Sequence, residues 1–185
     1  MPSIEYTHPV SSRTTLPDLG LRAIAGELVL IAAAAVLLPS LSHTMGWPVR
    51  SFLPMHWPVI LAGLVFGWRG GIVVGLLAPV ASYFVSGMPL PAILPAMTVE
   101  LAAYGALAGV GRQALKWNAF ASAALALVGG RIVFFLTALA TGAAGPAPLD
   151  YASAAMAPGV WAALAQLVVL PLIAMLWVQA GASRR

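Results

Sequence analysis

The stretch FLPMHWPVILAGLVFGWRGG, residues 52–71, decides how this fold is read. A histidine and two prolines precede an apolar run of about ten residues, which at about 1.5 Å per helical residue covers roughly half of a ~30 Å hydrocarbon core. A second short apolar segment, 71–86, follows directly. The pair predicts a tight helical hairpin that turns at Trp68-Arg69-Gly70-Gly71, and other parts of the protein must shield its short arms from lipid.

The composition of the whole chain is that of an integral membrane protein. Of the 185 residues, 61% are hydrophobic and 8% are charged, against roughly 25% charged residues in an ordinary soluble domain. Long apolar stretches, rather than short alternating ones, favour helices over an outer-membrane barrel. The absence of cysteine excludes disulfides, iron-sulfur clusters and thiolate zinc sites.

Six apolar segments predict an all-α protein with six transmembrane helices. They run over residues 22–41, 57–68, 71–86, 91–111, 117–141 and 159–180. We therefore expect a polar N-terminal tail (1–21), a single six-helix membrane domain (22–181) and a basic C-terminal tail (182–185).

The basic residues predict that both termini are cytoplasmic. This arrangement leaves only Arg50 outside and Arg131 within a segment, and it satisfies the positive-inside rule. The residues placed inside are Arg13, Arg22, Arg69, Arg112, Lys116, Arg184 and Arg185. Because these cations are scattered, the net charge of +4 indicates membrane topology rather than a nucleic-acid partner.

The longer loops, 42–56 and 142–158, then lie on the outer side and are rich in Pro, Gly, Trp and Met. Long ordered loops often carry function. We expect the prolines to hold Met55 and Trp57 in non-helical geometry, so that this stretch forms the rim of an outward-facing cup above the short helices.

Two ionisable residues are predicted deep in the membrane. Glu100 lies nine residues after Pro91 and Arg131 ten residues before Thr141, both about 14 Å deep at helical rise. They occupy consecutive antiparallel helices and could face each other. Such groups usually mark a functional site, with Arg131 holding a ligand anion or carbonyl and Glu100 orienting it. The alternative is a structural ion pair.

The residues around this pair resemble a mostly apolar pocket with a few polar groups, although ordinary helix packing would produce the same pattern. They are Met97 and Tyr104 on the face of Glu100, Phe134 and Phe135 beside Arg131, and Trp161 and Gln166 on the last segment. Glu27 lies only about 7 Å into the first segment and is interpreted as structural.

His43 and His56 lie thirteen residues apart in one outer loop, near Met45 and Met55. A membrane haem needs axial ligands on facing helices, so this placement disfavours a cytochrome. A His/Met pair that meets cobalt or copper is left open. No phosphate-binding loop, zinc-protease motif or serine-hydrolase motif occurs, so the chain is not itself a P-loop ATPase, and we expect no catalytic residue, resident metal or cofactor.

The chain resembles the substrate-binding S component of energy-coupling factor (ECF) vitamin transporters. The resemblance is carried by residues 53–110, with the apolar hairpin, the Gly87-Met88-Pro89 loop and the Glu-Leu-Ala-x-Tyr-Gly pattern from Glu100 to Gly105. It implies a six-helix cup in the cell (inner) membrane that binds a vitamin from outside, among loops 1 and 3 and helices 4 to 6.

The resemblance also implies partners, namely a membrane scaffold protein and two ATPase subunits that drive release inward. It indicates Met55, His56, Met88, Glu100, Tyr104 and Arg131 as substrate-binding residues, and the pocket pattern adds Trp161. Many family members dock through Ala-x-x-x-Ala on the first helix. This chain lacks that strict motif, and Gly26, Ala32 and Ala33 form a looser candidate patch.

Two other functions stay open at this point. One is an intramembrane enzyme or a metal- or haem-binding subunit that uses Glu100, His43 and His56. The other is a structural membrane partner with no small-molecule site.

Overall fold

A computed structural model describes residues 15–16, 20–46, 48–91 and 93–182 of the chain. These residues form helices and turns, with no strand among them. Helix α1 (Leu21–Ala32) continues through a π-helical segment (Ala33–Leu37) into α2 (Leu38–Thr44), and α3 (Val49–Phe52) follows. Then come α4 (His56–Ser86), α5 (Leu94–Gln113), α6 (Ala119–Ala140), α7 (Pro148–Met156), a 3₁₀ turn (Ala157–Gly159) and α8 (Val160–Ala182).

Within the described residues, five helical stretches are long and apolar enough to cross a membrane. They are Leu21–Thr44, His56–Ser86, Leu94–Gln113, Ala119–Ala140 and Pro148–Gly181. The all-helical prediction is therefore confirmed. The count differs from six because the predicted segments 57–68 and 71–86 lie in one helical stretch, α4. The outward-facing cup and the cytoplasmic termini remain predictions.

Helix α4 is broken at Gly67, whose backbone has φ 84° and ψ −172°. A Cβ placed on either Gly63 or Gly71 would collide with the carbonyl oxygen of Gly105. In a straight helix residues 63 and 71 would be about 12 Å apart, so the chain must reverse between them. The predicted hairpin thus exists, but it turns at Gly67, one residue before the predicted Trp68-Arg69-Gly70-Gly71.

Both arms of the hairpin pack on α5, and glycines permit this close approach. A Cβ on Gly105 would lie 2.8 Å from the Cα of Gly71, so the two backbones touch. The side chain of Gln113, at the end of α5, accepts a hydrogen bond at 3.2 Å from the backbone N–H of Trp68. It supplies a partner for a donor that the break at Gly67 would otherwise leave free.

The other helices surround this central unit. Helix α1 packs on α4, α6 on α5, and α8 on both α6 and α4. Glu27, interpreted above as structural, lies against the start of the second arm, where a Cβ on Gly70 would be 2.6 Å from its Oε1 atom. The outer faces of α1, α6 and α8 expose large apolar side chains such as Leu28, Val128 and Leu176, as expected of lipid-facing helices.

The two longer loops contain short helices, α3 and α7, that the apolar pattern of the sequence does not predict. Helix α7 begins at Pro148 and has Asp150 in its first turn, which are two favourable signals for a helix start. The expectation of non-helical geometry is wrong for Trp57, because α4 begins at His56, and also for Met55, whose backbone angles of φ −72° and ψ −25° are helical. Pro58 then lies in the first turn, where a missing N–H costs nothing.

Candidate functional site

A cavity of about 500 Å³ lies between the first span, the segment before α4 and the end of α4. This volume is within the range of small-molecule sites. Most of its wall is apolar, and its polar side chains are serines and histidines. The lining residues are Ala35, Val36, Pro39, Ser40, His43, Leu53, Pro54, Met55, His56, Ser82, Val85, Ser86, Met88, Pro89 and Met97.

His56 lies at the wall of this cavity, in the first turn of α4, and is 4% exposed. Its Nε2 atom is 3.5 Å from Oε1 of Glu100. Neither ring nitrogen has a hydrogen-bond partner among the described residues. A buried imidazole with a free nitrogen costs free energy unless water or a ligand completes its hydrogen bonding.

Behind His56, Glu100 contacts Arg131, and the predicted contact between these two residues is confirmed. Arg131 Nη1 donates a hydrogen bond to Glu100 Oε1 at 3.3 Å, which also makes an ion pair. The same carboxylate oxygen therefore faces both the guanidinium of α6 and the imidazole of α4. The side chain of Glu100 is 7% exposed and that of Arg131 21% exposed, so the pair is largely removed from solvent.

Tyr104 completes this buried cluster one turn further along α5. Its ring meets that of His56 edge to face, with centroids 4.9 Å apart. A Cβ at Gly130 would also lie 2.7 Å from this ring, so α6 packs directly on Tyr104. The tyrosine thus fixes the imidazole between the cavity and the ion pair.

The structure distributes the seven predicted site residues over three places. Met55, His56 and Met88 line the cavity. Glu100, Tyr104 and Arg131 contact His56 or one another and are not among the lining residues. Trp161 is 79% exposed and does not line the cavity, so its predicted role in binding has no support from this geometry.

Several cavity residues come from elements that sequence reasoning did not connect to the site. The π-helical segment and α2 contribute Ala35, Val36, Pro39, Ser40 and His43, and the end of α4 contributes Ser82 and Ser86. A π-helical segment often accompanies a functional site, but a run of alanines gives no sign of it. Residues 53–55 and 88–89 lie in the 42–56 loop and the Gly87-Met88-Pro89 loop, which the resemblance counts as loops 1 and 3. Of α5, α6 and α8, only α5 contributes a described lining residue, Met97.

Both histidines predicted to share a loop line the same cavity, together with Met55, Met88 and Met97. Across the described part of the chain, no three His, Asp or Glu side chains form a group that could hold a metal ion. Any metal bound in the cavity would therefore depend on thioether sulfur as well as imidazole nitrogen.

The small residues proposed above as a docking patch do not form one exposed face. A Cβ on Gly26 would lie 2.5 Å from the ring of Phe66, so this glycine faces the protein interior. Ala32 is exposed and Ala33 half-buried. Of the three, only Ala32 is fully accessible to a partner helix.

Comparison with known proteins identifies the family. The model of the family described as ECF transporter, substrate-specific component matches residues 27–182. No curated protein and no solved structure matches the chain. The family match begins within α1 and runs to the end of α8, so it includes the cavity and the buried cluster beside it. This chain therefore belongs to the family of ECF transporter substrate-specific components.

Proposed function

We propose that this protein is the substrate-capture subunit for ATP-driven uptake of a vitamin or related micronutrient. It binds the ligand from outside the cell and hands it to a separate membrane scaffold with two ATPase subunits. The family supports a substrate-binding, multi-pass membrane subunit that works with such a module. The cell (inner) membrane is where an importer of this kind acts.

The observation that carries the proposal is the cavity of about 500 Å³. Its wall combines apolar side chains with a few polar ones, which is typical of small-molecule sites. It is bounded by loops 1 and 3, the loops that the resemblance assigns to ligand binding. We place the ligand in this cavity, with Met55, His56 and Met88 in contact with it and Glu100, Tyr104 and Arg131 supporting His56 from behind.

Native mass spectrometry of protein purified from cells grown in rich medium tests this proposal. We expect a reproducible small-molecule adduct on the wild-type protein. Val36→Trp should remove the adduct, because Val36 lines the cavity and is 40% exposed, so that the indole can enter the opening without disturbing the core. Leu172→Trp is the matched control on α8, where Leu172 is 48% exposed.

An adduct that survives Val36→Trp would place the ligand elsewhere. The lack of any adduct, together with no binding across a vitamin panel, would contradict the capture function. Co-purification with the scaffold and ATPase subunits, tested with tagged protein in native membranes, examines the partner proposal separately.

A second candidate, capture of a soft transition metal, is favoured by one observation. His43, His56, Met55, Met88 and Met97 all line the same cavity, and imidazole and thioether are ligands for such metals. Elemental analysis of the purified protein tests it. A stoichiometric metal that is lost in Met55→Leu would favour this candidate over an organic ligand.

A further inference from the structure

We propose that the ligand of this cavity is electrically neutral and largely apolar, and that it donates a hydrogen bond to Nδ1 of His56. In this proposal Glu100 and Arg131 do not bind the ligand but position the imidazole and cancel each other's charge. The inference rests on the proposed function, because it names the substrate class of the same site.

The first step is the charge of the wall. The lining residues are aliphatic residues, prolines, methionines, serines and histidines, and no Asp, Glu, Lys or Arg is among the described residues of the wall. An ionic ligand would lose its hydration there without gaining a counter-charge, at a large cost. A neutral ligand avoids this cost and gains from burial against the three methionines and the aliphatic side chains.

The second step concerns the charges of Glu100 and Arg131. Arg131 and Glu100 hydrogen-bond to each other at 3.3 Å, and His56 lies between their carboxylate and the cavity. The side chain of Arg131 is 21% exposed, but a ligand anion that reached it would have to compete with the carboxylate of Glu100 for the same guanidinium. The pair is therefore already neutralised before any ligand arrives.

The third step is the tautomer of His56. The carboxylate of Glu100 lies 3.5 Å from Nε2, and a negative charge at that position favours the proton on this nitrogen. The other nitrogen, Nδ1, then carries a lone pair and acts as an acceptor. This nitrogen has almost no exposed surface and no partner among the described residues, so in this proposal the ring turns slightly toward the cavity and a ligand N–H or O–H satisfies it.

Matched probes that differ in one property test the ligand class. They are 2-naphthol, which has a donor, 2-methoxynaphthalene, which lacks it, and 2-naphthoate, which is an anion. Binding is measured by calorimetry in lipid nanodiscs, with empty nanodiscs subtracted, and cavity binding is the part that Val36→Trp abolishes. We expect 2-naphthol to bind about three- to tenfold more tightly than its methyl ether, as one hydrogen bond between neutral groups would give, and 2-naphthoate to bind most weakly.

Substitutions separate His56 from the ion pair behind it. His56→Leu and His56→Phe both remove the acceptor and should reduce the preference for 2-naphthol over its ether to about onefold, and two variants guard against a fold defect in either one. Glu100→Gln should raise the affinity for 2-naphthoate at least severalfold, because it leaves Arg131 unbalanced. A purely structural pair would not change ligand charge preference in this direction. Asp150→Asn, an exposed charge change in α7, should leave all three affinities unchanged.

The tautomer is tested without any ligand. Nitrogen NMR of histidine-labelled protein, assigned with His56→Gln, should show a proton on Nε2 and none on Nδ1. A proton on Nδ1, or on both nitrogens, would overturn the inference, as would an anion preference or an equal affinity for naphthol and ether in the wild-type protein. Failure of the proposed function looks different, because then none of the three probes would show cavity binding.

Discussion

Arg131 and Glu100 join α6 to α5 through a hydrogen bond of 3.3 Å from Nη1 to Oε1. The carboxylate is nearly excluded from solvent and the guanidinium partly so. Removal of one member leaves the other charge without its counter-ion in a poorly solvated place. Each of the two charges is therefore stabilised by the presence of the other.

We expect Glu100→Gln or Arg131→Gln alone to lower the free energy of unfolding by about 3 kcal/mol, as for other broken buried pairs. The double variant should cost less than the sum of the two, because neither charge is then left alone. Thermal unfolding in detergent measures all three. Asp150→Asn is the control for loss of an exposed carboxylate. Additive effects would show that the two residues do not depend on each other.

The pairing of Glu100 with Arg131 could be predicted from sequence, because two ionisable residues at similar depth on consecutive antiparallel helices can meet. The contact of His56 with Glu100 could not be predicted from sequence. His56 lies seven residues before Gly63 on α4, and Glu100 lies five residues before Gly105 on α5. The side chains of His56 and Glu100 therefore reach similar positions along the helix axes only if Gly63 packs against Gly105. That register depends on backbone contact between two helices, which apolar periodicity does not encode.

The same limit explains the cavity. The prediction placed the pocket around the ion pair because ionisable residues within membrane helices usually mark functional sites. In the structure the space lies on the other side of His56, against Ala35 and Val36 in a π-helical segment. A widened helical turn within an alanine run changes which side chains face inward. No residue type in LIAAAAVLL indicates that such a turn is present.

The contact between Gly105 and Gly71 predicts that this pair tolerates no side chain. Gly105→Ala would drive its Cβ into the backbone of Gly71 on the second hairpin arm, and backbone cannot move aside as a side chain can. We expect a loss of about 3 kcal/mol or more in unfolding free energy, comparable to severe overpacking, measured by thermal unfolding in detergent.

Gly129→Ala is the matched control, because it is also a glycine-to-alanine change in a membrane helix. The close contact of its Cβ would be a terminal methyl of Leu107 at 2.5 Å, which can rotate away. The gain of about 1 kcal/mol in helix propensity should offset this contact. Equal effects of the two substitutions would contradict the close packing of the hairpin on α5.

Gly67 predicts a different kind of sensitivity, one of backbone conformation. Its φ of 84° and ψ of −172° lie in a region that is essentially restricted to glycine and costs other residues about 1–3 kcal/mol. Gly67→Ala would also press on the side chain of Gln113. We expect the variant to unfold at lower temperature and to expose the turn to protease.

A second substitution distinguishes strain from crowding at Gly67. Gln113→Ala removes the crowded side chain, so a purely steric effect would be rescued in the double variant. Because the backbone strain remains and the Trp68 N–H loses its acceptor, we expect no rescue. Full recovery of thermal stability would show that the turn does not need the glycine conformation.

Gln166 on α8 yields a prediction of increased stability. It is wholly buried, and neither its amide oxygen nor its amide nitrogen has a hydrogen-bond partner among the described residues. An unpaired buried amide costs about 1–3 kcal/mol, whereas methionine has similar length and no such requirement. Gln166→Met should therefore raise the free energy of unfolding by about 1 kcal/mol, visible as a higher melting temperature. Gln179→Met, on an exposed position of the same helix, should change it little. A marked loss of stability in Gln166→Met would contradict this prediction, and an ordered water or ligand bound to the amide would then explain why the native side chain is preferred.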